Sequence, residues 1–287
     1  MTTGSVGWPK SRARMPGGWR IESFRRSASA RRARVVLFDF DGTLSLIRTG
    51  WAQVMIPLMV ETLAELKTGE SEERLRSIVE EYVSRLTGEQ TIYQMIELAR
   101  QVKKRGAKPR QPVEYKRLYN DRLMRKIRRR REALRKGKVQ PDKYLVPGAR
   151  ALLEALKDRG LKLYCASGTD REYTREEAHL LNIDSYFEGR IYGALEDYKS
   201  FSKKLLIRKM LSSQECGGDE LLGFGDGYVE IKNVKDAGGI AVGVATDEPE
   251  CRAVDPWKRK RLIKVGADFI IPNYLCTESL LKVVFSD

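Results

Sequence analysis

The stretch VVLFDFDGTL, Val35 to Leu44, determines which fold we predict for this chain. Its apolar residues are β-branched or aromatic and a glycine follows them, which indicates a short and fully buried β-strand. Asp39 and Asp41 come at the end of this strand, two residues apart and directly before Gly42. Ligands of open α/β sheets bind at the carboxyl ends of the strands, so we expect both carboxylates to belong to a functional site.

The composition argues against several classes of protein. With 41% hydrophobic residues the 287-residue chain can build a sizeable core, and no apolar run reaches the roughly 18 residues of a membrane span. His179 is the only histidine and the four cysteines are scattered, so we expect no histidine-based triad, multi-histidine metal site or disulfide framework. Carboxylates or lysines should therefore carry any acid–base chemistry, and we predict a reducing, cytoplasmic location.

Positive charge is concentrated in two segments, although the whole chain carries a net charge of +15. Residues 1–34 hold nine Lys or Arg and one acid, and residues 103–138 hold 17 Lys or Arg and three acids. We predict that residues 1–33 form a disordered basic tail. For residues 103–138 we weigh a solvated helix face against a surface that attracts an anionic substrate or a nucleic acid.

The pattern of apolar residues changes along the chain. Between about residues 45 and 144, apolar residues recur at three- and four-residue spacing, which predicts helices. The predicted helices span residues 51–66, 71–86, 91–103 and 113–136. From residue 147 onward, strands alternate with helices, and this alternation is typical of a parallel sheet with helices on both faces.

This order of elements predicts an α/β fold with an insertion. We predict that a parallel-sheet core comprises residues 34–45 and 146–287. An α-helical domain, residues 46–145, is then inserted after the first strand.

Two further predicted strands end in polar residues, as the first one does. LKLYCAS ends at Ser167, and ELLGFGDG ends at Asp226 and a glycine. Because the carboxyl ends of parallel strands meet at one edge of a sheet, we expect these side chains to converge with Asp39 and Asp41. Carboxylates without histidine suit a hard cation such as Mg²⁺, while a hydroxyl, a lysine and glycine-loop amides suit a phosphate group.

Two carboxylates of different orientation can divide the chemistry of phosphoryl transfer. One carboxylate beside a neutralised phosphate can act as a nucleophile. The other can give a proton to the leaving oxygen and then take one from the attacking water.

Three motifs resemble those of the haloacid dehalogenase superfamily, whose members are mostly Mg²⁺-dependent phosphatases. They are DFDGT at Asp39–Thr43, ASGT at Ala166–Thr169 and GDGYVE at Gly225–Glu230. The resemblance covers residues 35–45 and about 147–273, which are the predicted core.

The resemblance implies a role for each matched residue. Asp39 is expected to be the nucleophile, Asp41 the general acid and base, and Ser167 the hydroxyl that holds the phosphoryl group. The implied cofactor is Mg²⁺, and its implied ligands are Asp39, Asp41, Asp226 and Glu230. The expected substrate-binding residues are Gly42, Thr43, Gly168 and Arg48.

The lysine of the remaining family motif has two candidates in this sequence. The family places it at or just before a helix, upstream of the motif at Gly225–Glu230. Lys199 has the position of a lysine–proline pair in many relatives but lacks the proline, whereas Lys203 follows Ser202 at a predicted helix start. Both lysines are therefore candidates for the phosphate-binding role.

The position of the insertion resembles the type I cap group, which includes phosphoglycolate phosphatase and β-phosphoglucomutase. The resemblance implies a Rossmann-like parallel-sheet core with an α-helical cap. It also implies hydrolysis of a small phosphorylated metabolite, of the phosphoglycolate or sugar phosphate class, through an aspartyl-phosphate on Asp39. Three alternatives stay open: a phosphomutase, a nucleic-acid end phosphatase or binding protein that uses residues 103–138, and a regulatory binding module.

Overall fold

Short apolar stretches of the sequence form the strands of one sheet. A computed structural model describes residues 12–14, 20–24 and 28–286 of the chain. Eight strands of these residues pair in the sheet. They are β1 (Arg12–Arg14), β2 (Arg20–Ser23), β3 (Val35–Phe38), β4 (Lys162–Asp170), β5 (Ile191–Ala194), β6 (Leu221–Gly225), β7 (Ile240–Val244) and β8 (Phe269–Ile271). Strands β3 and β6 are buried along their whole length, as their apolar composition predicts.

The strand order places the end of β3 in the interior of the sheet. The order is β1-β2-β8-β7-β6-β3-β4-β5, and the six strands from β8 to β5 run parallel. Strand β3 pairs with β4 on one side and β6 on the other, so Phe38 lies opposite Cys165 and Phe224. The carboxyl ends of β3, β4 and β6 are therefore neighbours, and the predicted α/β core with a parallel sheet is confirmed.

Four helices that follow β3 account for the helical periodicity of residues 45–144. They are α1 (Ala52–Ala64), α2 (Glu72–Arg85), α3 (Thr91–Lys104) and α4 (Pro112–Arg135). Ser71 caps α2, because its hydroxyl accepts the N–H of Arg74 at 3.2 Å. Pro112 occupies the first turn of α4, where its missing N–H costs no helical hydrogen bond.

The remaining helices alternate with the strands of the core. They are α5 (Ala149–Asp158), α6 (Arg171–Leu180), α7 (Asp184–Phe187), α8 (Lys203–Ser213), α9 (Tyr228–Asp236), α10 (Pro256–Lys264) and α11 (Thr277–Val284). Helices α10 and α11 have no counterpart in the sequence prediction. The apolar periodicity of α10 is weak, since Leu262 is the one fully buried residue of this helix. Its start is nevertheless capped by Asp255, which accepts the N–H of Lys258 at 2.7 Å.

Part of the predicted disordered tail belongs to the sheet. Most of residues 1–33 lie outside the described residues, but β1 and β2 pair with each other, and β2 pairs antiparallel with β8 near one edge of the sheet. Ile21 of β2 is buried, and Glu22 forms an ion pair with Arg259 of α10 at 2.5 Å. The prediction of disorder was wrong for this strand. The buried isoleucine and the ion pair hold β2 on the sheet, and neither residue stands out in a basic, Ser-rich sequence.

The inserted helices and one face of the sheet share a continuous apolar cluster. Phe38 and Phe40, at the end of β3, belong to the same cluster as Met55 and Met59 of α1. The other face of the sheet packs against α8 and α9. Because α1 packs against the residues at the end of β3, the inserted helices lie over the carboxyl ends of the strands. The predicted domain limits at residues 45 and 146 stay a prediction.

Candidate active site

The carboxyl ends of three neighbouring strands bring the predicted polar residues together. Asp39 and Asp41 follow β3, Ser167 lies in β4, and Asp226 follows β6. The Asp39 N–H donates to the Phe224 carbonyl at 2.9 Å, which ties the first carboxylate to the adjacent strand. All four polar side chains line one cavity of about 90 Å³ between the sheet and the inserted helices.

Lys203 is the lysine that contacts the predicted nucleophile. Its Nζ donates to Oδ1 of Asp39 at 2.6 Å and also bonds Glu230, and all three side chains are buried. Burial raises the pKa of Asp39 well above its ordinary value, while the Lys203 ammonium opposes this shift by favouring the carboxylate. Burial acts to lower the pKa of Lys203, but Asp39 and Glu230 together raise it above its ordinary value, so the ammonium keeps its proton.

The other candidate lysine lies at the surface. Lys199 is exposed in a short helical turn, with its Nζ 6.0 Å from the ring centre of Tyr198. The hydroxyl of Ser202 accepts the N–H of Leu205 at 3.1 Å and so fixes the start of α8. Lys203 is consequently the first residue of α8 and points into the cavity, whereas Lys199 precedes the cap and remains outside.

Two hydroxyl groups hold the second carboxylate. Ser167 and Thr169 donate to the same oxygen of Asp41, Oδ2, at 3.1 and 2.9 Å. The N–H of Thr169 in turn donates to the Ser167 hydroxyl at 3.0 Å. Sequence reasoning named Ser167 but not Thr169, although the threonine stands two residues later in the same motif. Asp41 is thus oriented separately from Asp39, as the division of tasks between the two carboxylates requires.

Gly42 and Thr43 bring the loop after β3 against the loop after β6. Gly42 has a positive φ of 76°, and a Cβ there would lie 2.3 Å from Oδ2 of Asp226. The fully buried Thr43 hydroxyl accepts the N–H of Asp226 at 3.0 Å. Neither residue is among those that line the cavity. Both residues contact Asp226, and their predicted role in substrate binding stays a prediction.

Gly168 marks a close approach of the inserted helices to the strands. A Cβ at this position would lie 2.5 Å from the carbonyl oxygen of Glu89, just before α3. In the same region the Gln90 side-chain amide donates to the carbonyl oxygens of Tyr198 and Phe201 at 2.9 and 2.7 Å. Gly168 therefore allows the helices to close the cavity and also lines it.

Arg48 lines the same cavity and forms a buried ion pair with Glu177. Its guanidinium donates to both carboxylate oxygens of Glu177 at 3.0 and 2.9 Å, and its Nε lies 3.8 Å from Oδ1 of Asp41. The Tyr173 ring centre lies 5.3 Å from the guanidinium. Burial acts to lower the pKa of Arg48, but Glu177 and Asp41 raise it above its ordinary value. Sequence reasoning missed Glu177, because nothing marks a glutamate of α6 as buried.

The predicted metal-binding residues have the donor chemistry that Mg²⁺ prefers. All four supply carboxylate oxygens, and a backbone carbonyl is available at Asp41. One of these oxygens, Glu230 Oε2, is buried and accepts no hydrogen bond from the described residues; Asp41 Oδ1 accepts none either, but it lies 3.8 Å from Nε of Arg48. Burying a carboxylate oxygen without a partner is costly, and a cation would supply that partner. The donor chemistry of these residues therefore suits a hard divalent ion.

Lysines neutralise the same carboxylates. Lys258 donates to Oδ2 of Asp226 at 2.9 Å and to Glu248 at 2.8 Å. Burial raises the pKa of Asp226 to about 6, and Lys258 opposes that shift. In the described ranges, no three acidic, histidine or cysteine side chains are gathered closely enough to hold an ion. The carboxylates thus stand paired with Lys203 and Lys258 rather than around a common centre.

The basic segment 103–138 is mostly the exposed side of α4. Tyr115 and Tyr119, the two aromatic residues of the segment, are buried on its other side. Base stacking on these rings is therefore not available to a single-stranded nucleic acid. Several cations of the segment bond acids or carbonyls of the protein, as Arg131 does with Glu176. Among the helices of the described residues, none is both long and apolar enough to cross a membrane.

The family of the chain follows from the match of a family model. The model for haloacid dehalogenase-like hydrolases matches residues 33–238, which is more than half of the chain. The chain therefore belongs to this family of hydrolases, and the resemblance of its three motifs is confirmed.

Individual relatives agree with this class. A 5′-nucleotidase of Pseudomonas aeruginosa is 33% identical over 112 residues, which are 38% of this chain and 50% of that protein. This chain thus spans about half the length of that relative. A predicted phosphoglycolate phosphatase from Haemophilus somnus shares the fold with a TM-score of 0.57 at 15% identity, over 87% of this chain and 98% of that one. A β-phosphoglucomutase from Clostridium difficile shares the fold with a TM-score of 0.50 at 14% identity, over 81% of this chain and 98% of that one. At these identities the two structures show the common fold alone.

Proposed function

We propose that this chain is a Mg²⁺-dependent phosphatase that hydrolyses a small phosphomonoester through an aspartyl-phosphate on Asp39. The observation that carries the proposal is the different setting of two neighbouring carboxylates. Asp39 lies buried against the Lys203 ammonium, and Asp41 is held by two hydroxyls. A nucleophile and a proton-transfer group need such different environments within one site.

The residues of the cavity support the following sequence of steps. The Asp39 carboxylate attacks phosphorus, and the bond from phosphorus to the leaving oxygen breaks as Asp41 gives that oxygen its proton. Asp41 then removes a proton from water, whose oxygen attacks phosphorus and releases the Asp39 carboxylate. Lys203 holds the phosphoryl oxygens during both steps. The Ser167 hydroxyl joins it when it turns from Asp41 to the substrate, which leaves Thr169 to orient Asp41.

The metal site of the proposal uses the donors described above. The side chains of Asp39, Asp226 and Glu230 and the carbonyl of Asp41 would hold Mg²⁺. When bound, the ion supplies positive charge that neutralises the phosphoryl oxygens. Burial raises the pKa of Asp39 and Asp226, and the neighbouring Lys203 and Lys258 ammonium groups oppose this by favouring the charged carboxylates that a cation would need.

The size and cover of the cavity support a small substrate, of the phosphoglycolate or sugar phosphate class. A volume of about 90 Å³ accommodates a phosphoryl group and few further atoms. We propose that residues 46–145 act as a cap over a core of residues 34–45 and 146–287. The contact of Gly168 with Glu89 and the hydrogen bonds of Gln90 support this, because they close the cavity against water.

Phosphate release from a panel of phosphomonoesters in the presence of Mg²⁺ tests the proposal. The panel contains phosphoglycolate, sugar phosphates, nucleoside monophosphates and a 3′-phosphorylated oligonucleotide. We expect turnover in the wild type and a loss of about a thousandfold or more in Asp39→Asn. The exposed Asp158→Asn is the matched control, and it should keep full activity.

Two outcomes would contradict the proposal. Turnover that survives in Asp39→Asn would exclude this residue as the nucleophile. Transfer of the phosphoryl group to a second hydroxyl of a sugar phosphate, without phosphate release, would favour the phosphomutase alternative.

A further inference from the structure

A second, larger cavity adjoins the one that holds the reacting groups. The two cavities share Trp51, Thr87 and Asp226 as lining residues. The second cavity has a volume of about 500 Å³, which lies in the usual range for small-molecule sites of about 300–1,000 Å³. A molecule whose phosphoryl group is bound at Asp39 can therefore extend past Asp226 into a space several times larger.

Three aromatic side chains line this larger cavity, among apolar and charged residues. Trp51 comes from the start of α1, Tyr228 from the start of α9, and Trp257 from α10. Trp257 is 52% exposed, which is unusual for the largest apolar side chain. An exposed aromatic ring beside a cavity offers a large, rigid apolar surface on which another molecule can pack.

Arg261 adds a planar guanidinium group to this cavity and packs against two of its aromatic rings. Its guanidinium lies 4.3 Å from the ring centre of Trp257 and 5.2 Å from that of Tyr228. It is held there by Ser84 of α2, whose carbonyl and hydroxyl oxygens accept from the two Nη atoms at 2.6 and 3.2 Å. The guanidinium is thus held in place, which lowers the entropic cost of stacking a planar ligand against it.

The same cavity also offers a hydrogen-bond acceptor for a ligand with N–H groups. Glu80 of α2 lines the cavity, is exposed, and forms no ion pair within the described residues. A nucleobase has two π-faces for stacking and amino groups that donate to a carboxylate.

We propose that this aromatic cavity is the nucleobase subsite of a nucleoside monophosphate, whose phosphoryl group binds at Asp39. The inference rests on the proposed phosphatase function and narrows its sugar phosphate class to a ribose phosphate that carries a base. Trp257 stacks on the base, and Asp226 lies at the junction between base and phosphate.

A pair of substrates that differ only in the base tests this subsite. We compare kcat/KM for adenosine 5′-monophosphate and ribose 5-phosphate with Mg²⁺, in the wild type and in Trp257→Ala. We expect the wild type to prefer the nucleotide by about tenfold or more, and Trp257→Ala to lower this ratio by about tenfold. Trp257→Phe should restore most of the ratio. The matched control is Leu275→Ala, which truncates another exposed apolar side chain, 58% exposed, that lines neither cavity.

Equal use of both substrates by the wild type, or an unchanged ratio in Trp257→Ala, would overturn the subsite while leaving the phosphatase proposal intact. Equilibrium binding of both compounds to Asp39→Asn separates the two proposals when neither compound is turned over. Base-dependent binding that Trp257→Ala abolishes would support the subsite even though hydrolysis is refuted. Equal or absent binding of both compounds would overturn it.

Discussion

The Nζ atom of Lys203 lies 2.6 Å from Oδ1 of Asp39, in the interior of the protein and at the end of the middle strands of the sheet. We expect Lys203→Ala to lower kcat/KM for the best phosphomonoester by about 100- to 1,000-fold, because a buried ammonium that faces phosphoryl oxygens has no substitute. Steady-state kinetics of phosphate release measures this. Lys199→Ala is the control and should retain activity, and equal losses in both variants would contradict the assignment of Lys203.

The hydroxyls of Ser167 and Thr169 act on one carboxylate oxygen, so their contributions should not be additive. We expect Ser167→Ala and Thr169→Val each to lower kcat by about tenfold or more, because Asp41 loses a hydrogen bond that orients it. Because both hydroxyls bond Oδ2 of Asp41, the double variant should lose less than the product of the two single losses. Strictly additive losses in a double-mutant cycle would show that the two hydroxyls act independently.

The buried pair of Arg48 and Glu177 should couple strongly in stability. Glu177→Leu leaves the Arg48 guanidinium buried without its bidentate partner, and we expect a loss of about 3–5 kcal/mol in the free energy of unfolding. Arg48→Met combined with Glu177→Leu should be less destabilising than Glu177→Leu alone, because no unpaired charge remains. Urea denaturation of the wild type, of Glu177→Leu, of Arg48→Met and of the double variant measures the coupling. A double variant whose free energy of unfolding falls by the full sum of the two single losses would contradict it.

Removal of Mg²⁺ should affect both activity and stability. We expect a chelator to abolish phosphate release and Mg²⁺ to restore it. Since a ligand that binds the folded state adds about 2.7 kcal/mol at a hundred times its Kd, Mg²⁺ should also raise Tm by several degrees. This shift should shrink in Asp226→Asn and persist in the exposed Asp158→Asn. A Tm that does not respond to Mg²⁺ in the wild type would refute the metal site.

Much of the fold could be predicted from local patterns. Apolar β-branched runs such as Val35–Phe38 and the three- and four-residue periodicity of residues 51–136 identify elements whose limits agree with the structure within about two residues. The order of these elements is enough to predict a parallel sheet with a helical insertion. The strand over residues 20–23 was not predicted, because pairing at a sheet edge depends on a distant partner, Phe269–Ile271.

Of the candidate site, only the residues at the ends of the strands could be predicted from the sequence. Asp39, Asp41, Ser167 and Asp226 follow from sequence because each ends or follows a recognisable strand. Glu177 and Thr169 do not, since burial and hydrogen bonding to another segment leave no local signal.

The sequence by itself determined the strands, the helices, their alternation and the chemical types of residue at the strand ends, because these depend on contacts between near neighbours in the chain. Tertiary structure alone decided which lysine bonds Asp39 and which side chains line the cavity next to Asp226. Lys199 and Lys203 are four residues apart and equally basic, and a helix cap together with packing against the sheet turns one inward. The aromatic cavity likewise joins side chains that are more than 200 residues apart, from Trp51 to Trp257, and such proximity arises only when the whole chain has folded.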